Sequence, residues 1–418
     1  MSNLQKRREQ YAAFQKMDLN LNIERGQPAD QNFELCSDLL SAVDHDSVIT
    51  DAGVDIRNYP GGILGLIEAR QLFSEQIRVS PDEIMIGNNS SLDMMSSFLS
   101  WALLRGVYGS KSSWLTNIRK GDKPKLIVTV PGYDRHFGLA AELGYELLTV
   151  DMTKEGPDMD QVEALAGDPD VKGIYFVPRY SNPTGDSISR QSAIRLVGMH
   201  TAAPDFTVFA DDAYAVHHLD EEPEVAPNLL KFAQDAGNSE RVILFGSTSK
   251  ITFASGGLCF AGMSQRNLEH WSRLLSHQSI GPNKIEQWRH VRFLRQYPGG
   301  LTGLMRDHAK ILKPKFDAVQ EILNAELSPD VARWTDPKGG YFVSVDTDRP
   351  VAARVIELAG QAGVALTPVG ATYPEGIDPT GCNIRLAPSR PPLEEVELAM
   401  NVFACCVNLA TEEYDSTR

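Results

Sequence analysis

The sequence predicts an α/β protein in which a large domain, built on a mostly parallel seven-stranded sheet covered by helices, is joined to a smaller α/β domain. Three observations predict it. The 418 residues are too many for one small core. From residue 83 onward, short apolar or β-branched runs alternate with longer amphipathic ones, the pattern of parallel strands with helical crossovers. After Gly262 the texture changes to long helical stretches.

The strands are read at Glu83–Gly87, Lys125–Val130, Glu146–Val150, Gly173–Pro178, Thr207–Asp212, Val242–Ser247 and Leu258–Gly262. Only about ten residues separate the last two, too few for a helical crossover, so one of them is expected to run antiparallel. Helices follow through WSRLLSHQ, IEQWRHVRFL and GLMRDHAKILKPKFDAVQEILNAEL. The smaller domain is expected to hold GGYFVSVD as a strand, VAARVIELAGQAG as a helix, NIRLAP as a strand and a final helix from Leu393. With the first 45 residues packed against it, the large domain is expected to span 46–300 and the small one 1–45 and 301–418. No repeat, low-complexity linker or block of like charge separates independent modules.

Composition narrows the function classes. An apolar share of 42% with 23% charged residues is ordinary for a globular protein. A net charge of −15 works against attraction to nucleic acid or anionic lipid, so neither partner is expected. The segment MSNLQKRREQYAAF lacks the apolar core of a secretory signal, and no apolar run is long enough to span a membrane. A cytoplasmic location is expected. Cys36, Cys259, Cys382, Cys405 and Cys406 show no metal or redox spacing and read as thiols in a reducing compartment. The pair His217-His218 lacks further ligands at helical spacing, so no metal is expected.

Three segments carry chemistry. FGSTSK ends an apolar strand in small hydroxyl residues and then Lys250. A lysine there has its charge disfavoured by burial, as a Schiff-base lysine requires, although a solvent-facing loop lysine is the plainer reading. FADDAY ends a strand in carboxylates at the sheet edge where open α/β folds bind ligands. Asp211 suits the protonated nitrogen of a pyridine cofactor such as pyridoxal phosphate, with Tyr214 three residues on reaching the phenolate oxygen of the same ring. Taken singly, Asp211 is equally an N-cap. SNPTG follows the apolar run GIYFVP and is a good turn by its own chemistry; its functional reading aims the Asn182 amide at that phenolate oxygen.

In this order, with an aromatic after a strand, a phosphate-binding turn and a late arginine, the motifs resemble the aspartate-aminotransferase-like class I enzymes of fold type I. The resemblance covers roughly residues 20 to 390. RGQP, NYPGG, PRYSNPTG, DDAYAVHHL, STSKITF, PKGGYF and NIRLAPSRP are similar to the divergent bacterial aspartate aminotransferases related to MocR-type effector domains.

The resemblance implies that Lys250 binds pyridoxal phosphate covalently and then moves the substrate α-proton. It implies that Asp211 pairs with the ring nitrogen, that Asn182 and Tyr214 meet the phenolate oxygen, and that Tyr133 stacks on the ring. Asn89, Ser90 and Ser91, at the start of a helix, would hold the phosphate with Ser247, and Tyr59 would reach the phosphate of a partner subunit in a homodimer with shared active sites. Arg385 would grip the substrate carboxylate, with Gly26 closing the same pocket. The implied reaction transfers an amino group from an amino acid, aspartate foremost, to a 2-oxo acid such as 2-oxoglutarate. Lyase chemistry on the same fold is the alternative, and a cofactor-binding regulator is a third reading that needs an added DNA-binding domain.

Two departures stand out. Leu258 occupies the place of the family's phosphate-binding arginine, eight residues after the lysine. No arginine in Ser276–Lys284 matches the one that recognises a second carboxylate, which leaves Lys284 and Arg25 as the cationic candidates.

Overall fold

The computed structural model describes residues 3–59, 62–116, 122–223 and 225–417. Pro60 and Gly61 of NYPGG lie outside these. The strands are β1 (Leu21–Asn22), β2 (Ile84–Gly87), β3 (Lys125–Val130), β4 (Glu146–Thr153), β5 (Gly156–Pro157), β6 (Val171–Phe176), β7 (Thr207–Asp211), β8 (Val242–Ser247), β9 (Cys259–Met263), β10 (Ala332–Trp334), β11 (Val343–Thr347), β12 (Val364–Ala365) and β13 (Asn383–Leu386).

The main sheet runs β2-β9-β8-β7-β6-β3-β4-β5. It contains all seven strands read from the sequence. Its eighth member, β5, is a two-residue antiparallel continuation of the β4 edge, a Gly-Pro pair with no apolar run to announce it. Strands β4, β3, β6, β7 and β8 pair in parallel. Strand β9 is the antiparallel one, against β8 on one side and β2 on the other, and only a short 3₁₀ turn at Ala254–Gly256 lies between β8 and β9.

Every residue of β6 and β8 is buried, because helices cover both faces. The strand period of two divides the side chains between those faces. Leu126 and Val128 pack in a cluster with Phe98 and Trp271, and Ile127 packs on the other side with Ile174 and Val208.

The second sheet, β10-β11-β13, is antiparallel. The helices Gly300–Glu326 and Leu393–Ser416 pack together beside it, and Asn3–Gln15 lies on the last of these. Strand β1 pairs with β12, joining Leu21 to Val364. One apolar cluster unites Tyr11, Ile23, Phe316, Val343 and Phe403 with Tyr180 and Tyr214 from the main-sheet side. Further along the N-terminal segment, Cys36 and Leu39 pack into the main-sheet core with Ile251 and Trp288. No described helix is long and apolar enough to cross a membrane.

Candidate active site

Adjacent parallel strands deliver the chemistry. In sheet order, β8 leads to Lys250, β7 ends in Asp211, β6 leads to Asn182 and β3 leads to Tyr133. Each position follows a carboxyl end, where strands stop pairing and side chains open into a common crevice. Strand β2 runs the same way as β8 and leads to Asn89, Ser90 and Ser91, so the helix Ser91–Arg105 starts at this edge.

Asp211 is buried. His136 Nε2 lies 3.0 Å from its Oδ2, and its Oδ1 has no hydrogen-bond partner among the described residues. A buried carboxylate oxygen without a donor is costly, so this atom calls for a cationic or N–H partner. The neighbouring Asp212 faces the other way, 3.5 Å from Arg78, as strand alternation dictates. His136 is held by its ring, stacked on Tyr175 with centroids 3.7 Å apart, and Tyr133 meets its edge at 5.0 Å.

Lys250 Nζ sits 5.0 Å from the centroid of the Tyr214 ring. Burial pushes its amine below the ordinary lysine value, and the Asp211 charge opposes that push. Burial also raises the Tyr214 phenol well above its usual range, so Tyr214 is a neutral hydroxyl at physiological pH. The Tyr133 phenol is pushed up to about 12, first by burial and then by Asp211.

Arg385, on β13, closes the crevice from the second sheet. Its Nη1 donates to Asn182 Oδ1 at 3.2 Å and approaches Asp134 Oδ1 at 3.4 Å, its Nε donates to Thr367 Oγ1 at 3.3 Å, and its guanidinium lies 5.0 Å from the Phe342 ring centroid. Gly26 is next to this group for a steric reason: a Cβ there would run into the Phe342 ring that supports Arg385.

The Asn89 side chain bridges to the lysine-bearing turn, donating to Ala254 O at 2.8 Å and accepting from Ser249 Oγ at 3.3 Å. Ser90 is the N-cap of its helix with no side-chain capping bond, which leaves its hydroxyl and the N–H groups of Ser91 and Leu92 available to an anion, while the Asp93 N–H donates to Ser90 O at 3.0 Å. Ser91, the first residue of that helix, and Ser247, the last of β8, are both buried.

Four residues stand apart from the crevice. Leu258 is wholly buried in the main core, its N–H donating to Thr248 Oγ1, so no cation replaces the family arginine at that position. The Lys284 Nζ donates to the carbonyls of Asp55 at 3.0 Å and Tyr59 at 2.7 Å. The Arg25 side chain is exposed and pairs with Glu24 at 3.7 Å. Tyr59 is 73% exposed. The described residues hold no group of three or more His, Cys, Asp or Glu side chains able to bind a metal.

Sequence reasoning missed His136, Asp134, Thr367 and Phe342. His136 had a visible signal, lying three residues after Tyr133 in the first turn of the helix that Tyr133 precedes. The orphaned Asp211 oxygen, the nearby depressed lysine and the hydroxyl-rich helix start fit the nitrogen, aldehyde and phosphate of pyridoxal phosphate.

Fold and site together define the class of fold-type I, pyridoxal-phosphate-dependent aminotransferases. In fold the chain is similar to the α-aminoadipate aminotransferase of Thermus thermophilus, with a TM-score of 0.75 at 20% identity, covering 94% of this chain and 93% of that one. An aspartate amino-transferase family model matches residues 1–418. The aspartate aminotransferase of Corynebacterium glutamicum is 41% identical over 409 residues, 97% of this chain and 93% of the relative. A solved aspartate transaminase structure from Corynebacterium glutamicum superposes with a TM-score of 0.94 at 40% identity, covering 98% of this chain and 96% of that one. The chain belongs to the aspartate amino-transferase family.

Proposed function

We propose that the protein transfers the amino group of an amino acid, L-aspartate foremost, to a 2-oxo acid such as 2-oxoglutarate, using pyridoxal phosphate bound to Lys250. The observation that carries this reading is the depressed Lys250 amine in the same crevice as an Asp211 oxygen that is buried and unpartnered. The name of the 41% identical relative supports aspartate as donor.

When bound, pyridoxal phosphate supplies the electron sink that lets a substrate Cα–H bond break. Asp211, its Oδ1 unpartnered, would hold the ring nitrogen in its protonated form, while His136 holds the carboxylate in place through Oδ2. Tyr214, a neutral hydroxyl, and the Asn182 amide donate to the phenolate oxygen; with Asn182 Oδ1 turned to Arg385, its NH₂ is the end left for this task. Tyr133 would pack against the ring. Asn89, Ser90, Ser91 and Ser247 bind the phosphate through hydroxyl, amide and helix N–H groups, without the arginine that Leu258 replaces.

Arg385 exchanges its contact with Asp134 for the bidentate grip of the α-carboxylate, and Gly26 leaves room for the Phe342 ring beneath it. The Lys250 amine, its basicity lowered by burial, would take the substrate α-proton onto Nζ as base and give it back as acid. Its low basicity suits both directions. The exposed Tyr59, its carbonyl anchored by Lys284, is offered to a second copy of the chain, so the working unit is a homodimer with shared sites.

The test is the visible absorption spectrum of the purified holoenzyme before and after L-aspartate, and again after 2-oxoglutarate. Conversion of the cofactor band by aspartate and its return with the oxo acid is the expected outcome. A band unmoved by aspartate overturns the donor, and no band after supply of pyridoxal phosphate overturns the whole reading.

A further inference from the structure

Two sequence motifs, DDAYAVHHL and PKGGYF, are only partly used by Asp211, Tyr214 and Phe342. Their other residues meet behind Lys250. His217 Nε2 lies 3.3 Å from the Lys250 carbonyl oxygen, and the Tyr341 hydroxyl donates to the same oxygen at 3.3 Å. The two rings are buried and meet edge-on at 5.4 Å, and both pack against Tyr214. The next carbonyl along, that of Ile251, accepts from Cys36 Sγ at 3.3 Å. Successive carbonyls of the lysine-bearing turn are thus held by side chains from three separate stretches of chain.

The two donor loops are also fixed to each other. Gly340 N donates to His217 O at 2.9 Å, Leu219 N donates to Lys338 O at 2.9 Å, and His218 and Gly339 form an antiparallel bridge. The paired glycines permit this approach. A Cβ at Gly339 would enter the Tyr180 ring and the His217 carbonyl, and Gly340 has a φ of +79° with Tyr180 Cβ 2.9 Å from where its own Cβ would stand.

Burial pushes His217 down to about 3, and the groups that face it, His308, Lys250 and His218, bring no negative charge to reverse that. The imidazole is therefore neutral at physiological pH and donates through Nε2–H, with Nδ1 unpartnered among the described residues. Tyr341 lies two residues before β11, where Ser344 pairs with Arg385, so one short sheet carries both this donor and the substrate-binding arginine.

We propose that His217 and Tyr341 are positioning residues that hold the Lys250 main-chain carbonyl and so aim its amine at the substrate α-carbon. A lysine side chain has four flexible bonds, and its reach is defined only if its backbone origin is fixed. Misplacement on the order of 1 Å is enough to cost about a hundredfold in rate. This inference rests on the pyridoxal-phosphate reading.

Tyr341→Phe and His217→Leu each remove one donor, whereas His217→Gln keeps an N–H. In the first two holoenzymes kcat should fall about tenfold to a hundredfold while KM for L-aspartate stays within about twofold. The primary isotope effect with L-aspartate deuterated at Cα should rise above that of the wild type. The pH midpoint of the bound cofactor's visible band should move up by about half a pH unit, as a loosened lysine gains access to water. His217→Gln should recover most of these changes. Variants with a lower melting temperature but wild-type isotope effect and pH midpoint would show a purely structural role and overturn the proposal. A wild-type protein without a cofactor band overturns the underlying reading instead, so the two failures are distinct.

Discussion

The turn that follows β8 and the start of the helix Lys284–Gln296 each enclose a lysine, and the two are used in opposite ways. Lys284 is 6% exposed and spends its ammonium group on two backbone carbonyls. Lys172 donates to Pro169 O at 2.8 Å, and Lys315 donates to Ser389 O at 2.9 Å and Arg390 O at 3.4 Å even though burial pushes its amine down to about 8. Lys250 Nζ makes no hydrogen bond among the described residues and faces the Tyr214 ring. Carbonyl acceptors fix a buried amine in one place, whereas an amine without acceptors is left free to form a covalent bond. Enclosure alone therefore does not mark the reactive lysine. The lack of an acceptor does.

Substitutions test this contrast. Lys250→Ala should lower amino transfer by roughly 10⁴-fold or more, measured by steady-state assay, and abolish covalent retention of the cofactor, measured by mass spectrometry after reduction. Its cofactor-free melting temperature should stay level or rise, since no hydrogen bond of Nζ is lost. Asp211→Asn should cost about a hundredfold or more in kcat, because an amide cannot hold the ring nitrogen's proton by charge. Wild-type turnover in that variant would remove Asp211 from the mechanism. Arg385→Ala should act chiefly on KM, raising it about a hundredfold for amino and oxo acids alike.

Lys284→Met provides the structural counterpart. Leaving the Asp55 and Tyr59 carbonyls without their charged donor should cost about 2 kcal/mol of stability, read from denaturant unfolding. An unchanged midpoint would mean that the anchor contributes nothing.

The smallest effect concerns acid. Burial pushes His217 down to about 3 and His218, His290 and His308 each to about 4, against an ordinary value of 6.5. Between about 4 and 6.5 the unfolded chain binds more protons than the folded one. The stability from this source is complete above 6.5 and is lost as pH falls toward 4. His308 has both ring nitrogens buried and unpartnered, so His308→Leu should flatten the dependence of melting temperature on pH across that window.

Much of this was legible in the chain. Parallel strands buried on both faces, such as β6 and β8, are continuous apolar runs, and the residues that end them change abruptly to Asp211 or to Ser247 and Lys250. That one of the last two strands runs antiparallel followed from the short gap between them; that it is β9 did not. Strand β5 escaped because a Gly-Pro pair has no pattern of its own. Lys284 is hard to read because a helix-start lysine looks the same whether it meets solvent, substrate or a carbonyl, and Leu258 looks like a missing cation when it is part of the core.

Local order was thus written in the sequence: which runs are strands, where they stop, and which chemical groups stand at their ends, since these depend on residues a few positions apart. Tertiary structure alone decided the pairings. His136 meets Asp211 across 75 residues, Tyr341 meets Lys250 across 91, and Asn182 meets Arg385 across 203. Such contacts depend on the order in which strands lie in the sheet and on how the second sheet closes over its edge. Hydrophobic periodicity is blind to both, because it records how deeply a residue is buried and not which distant residue it is buried against.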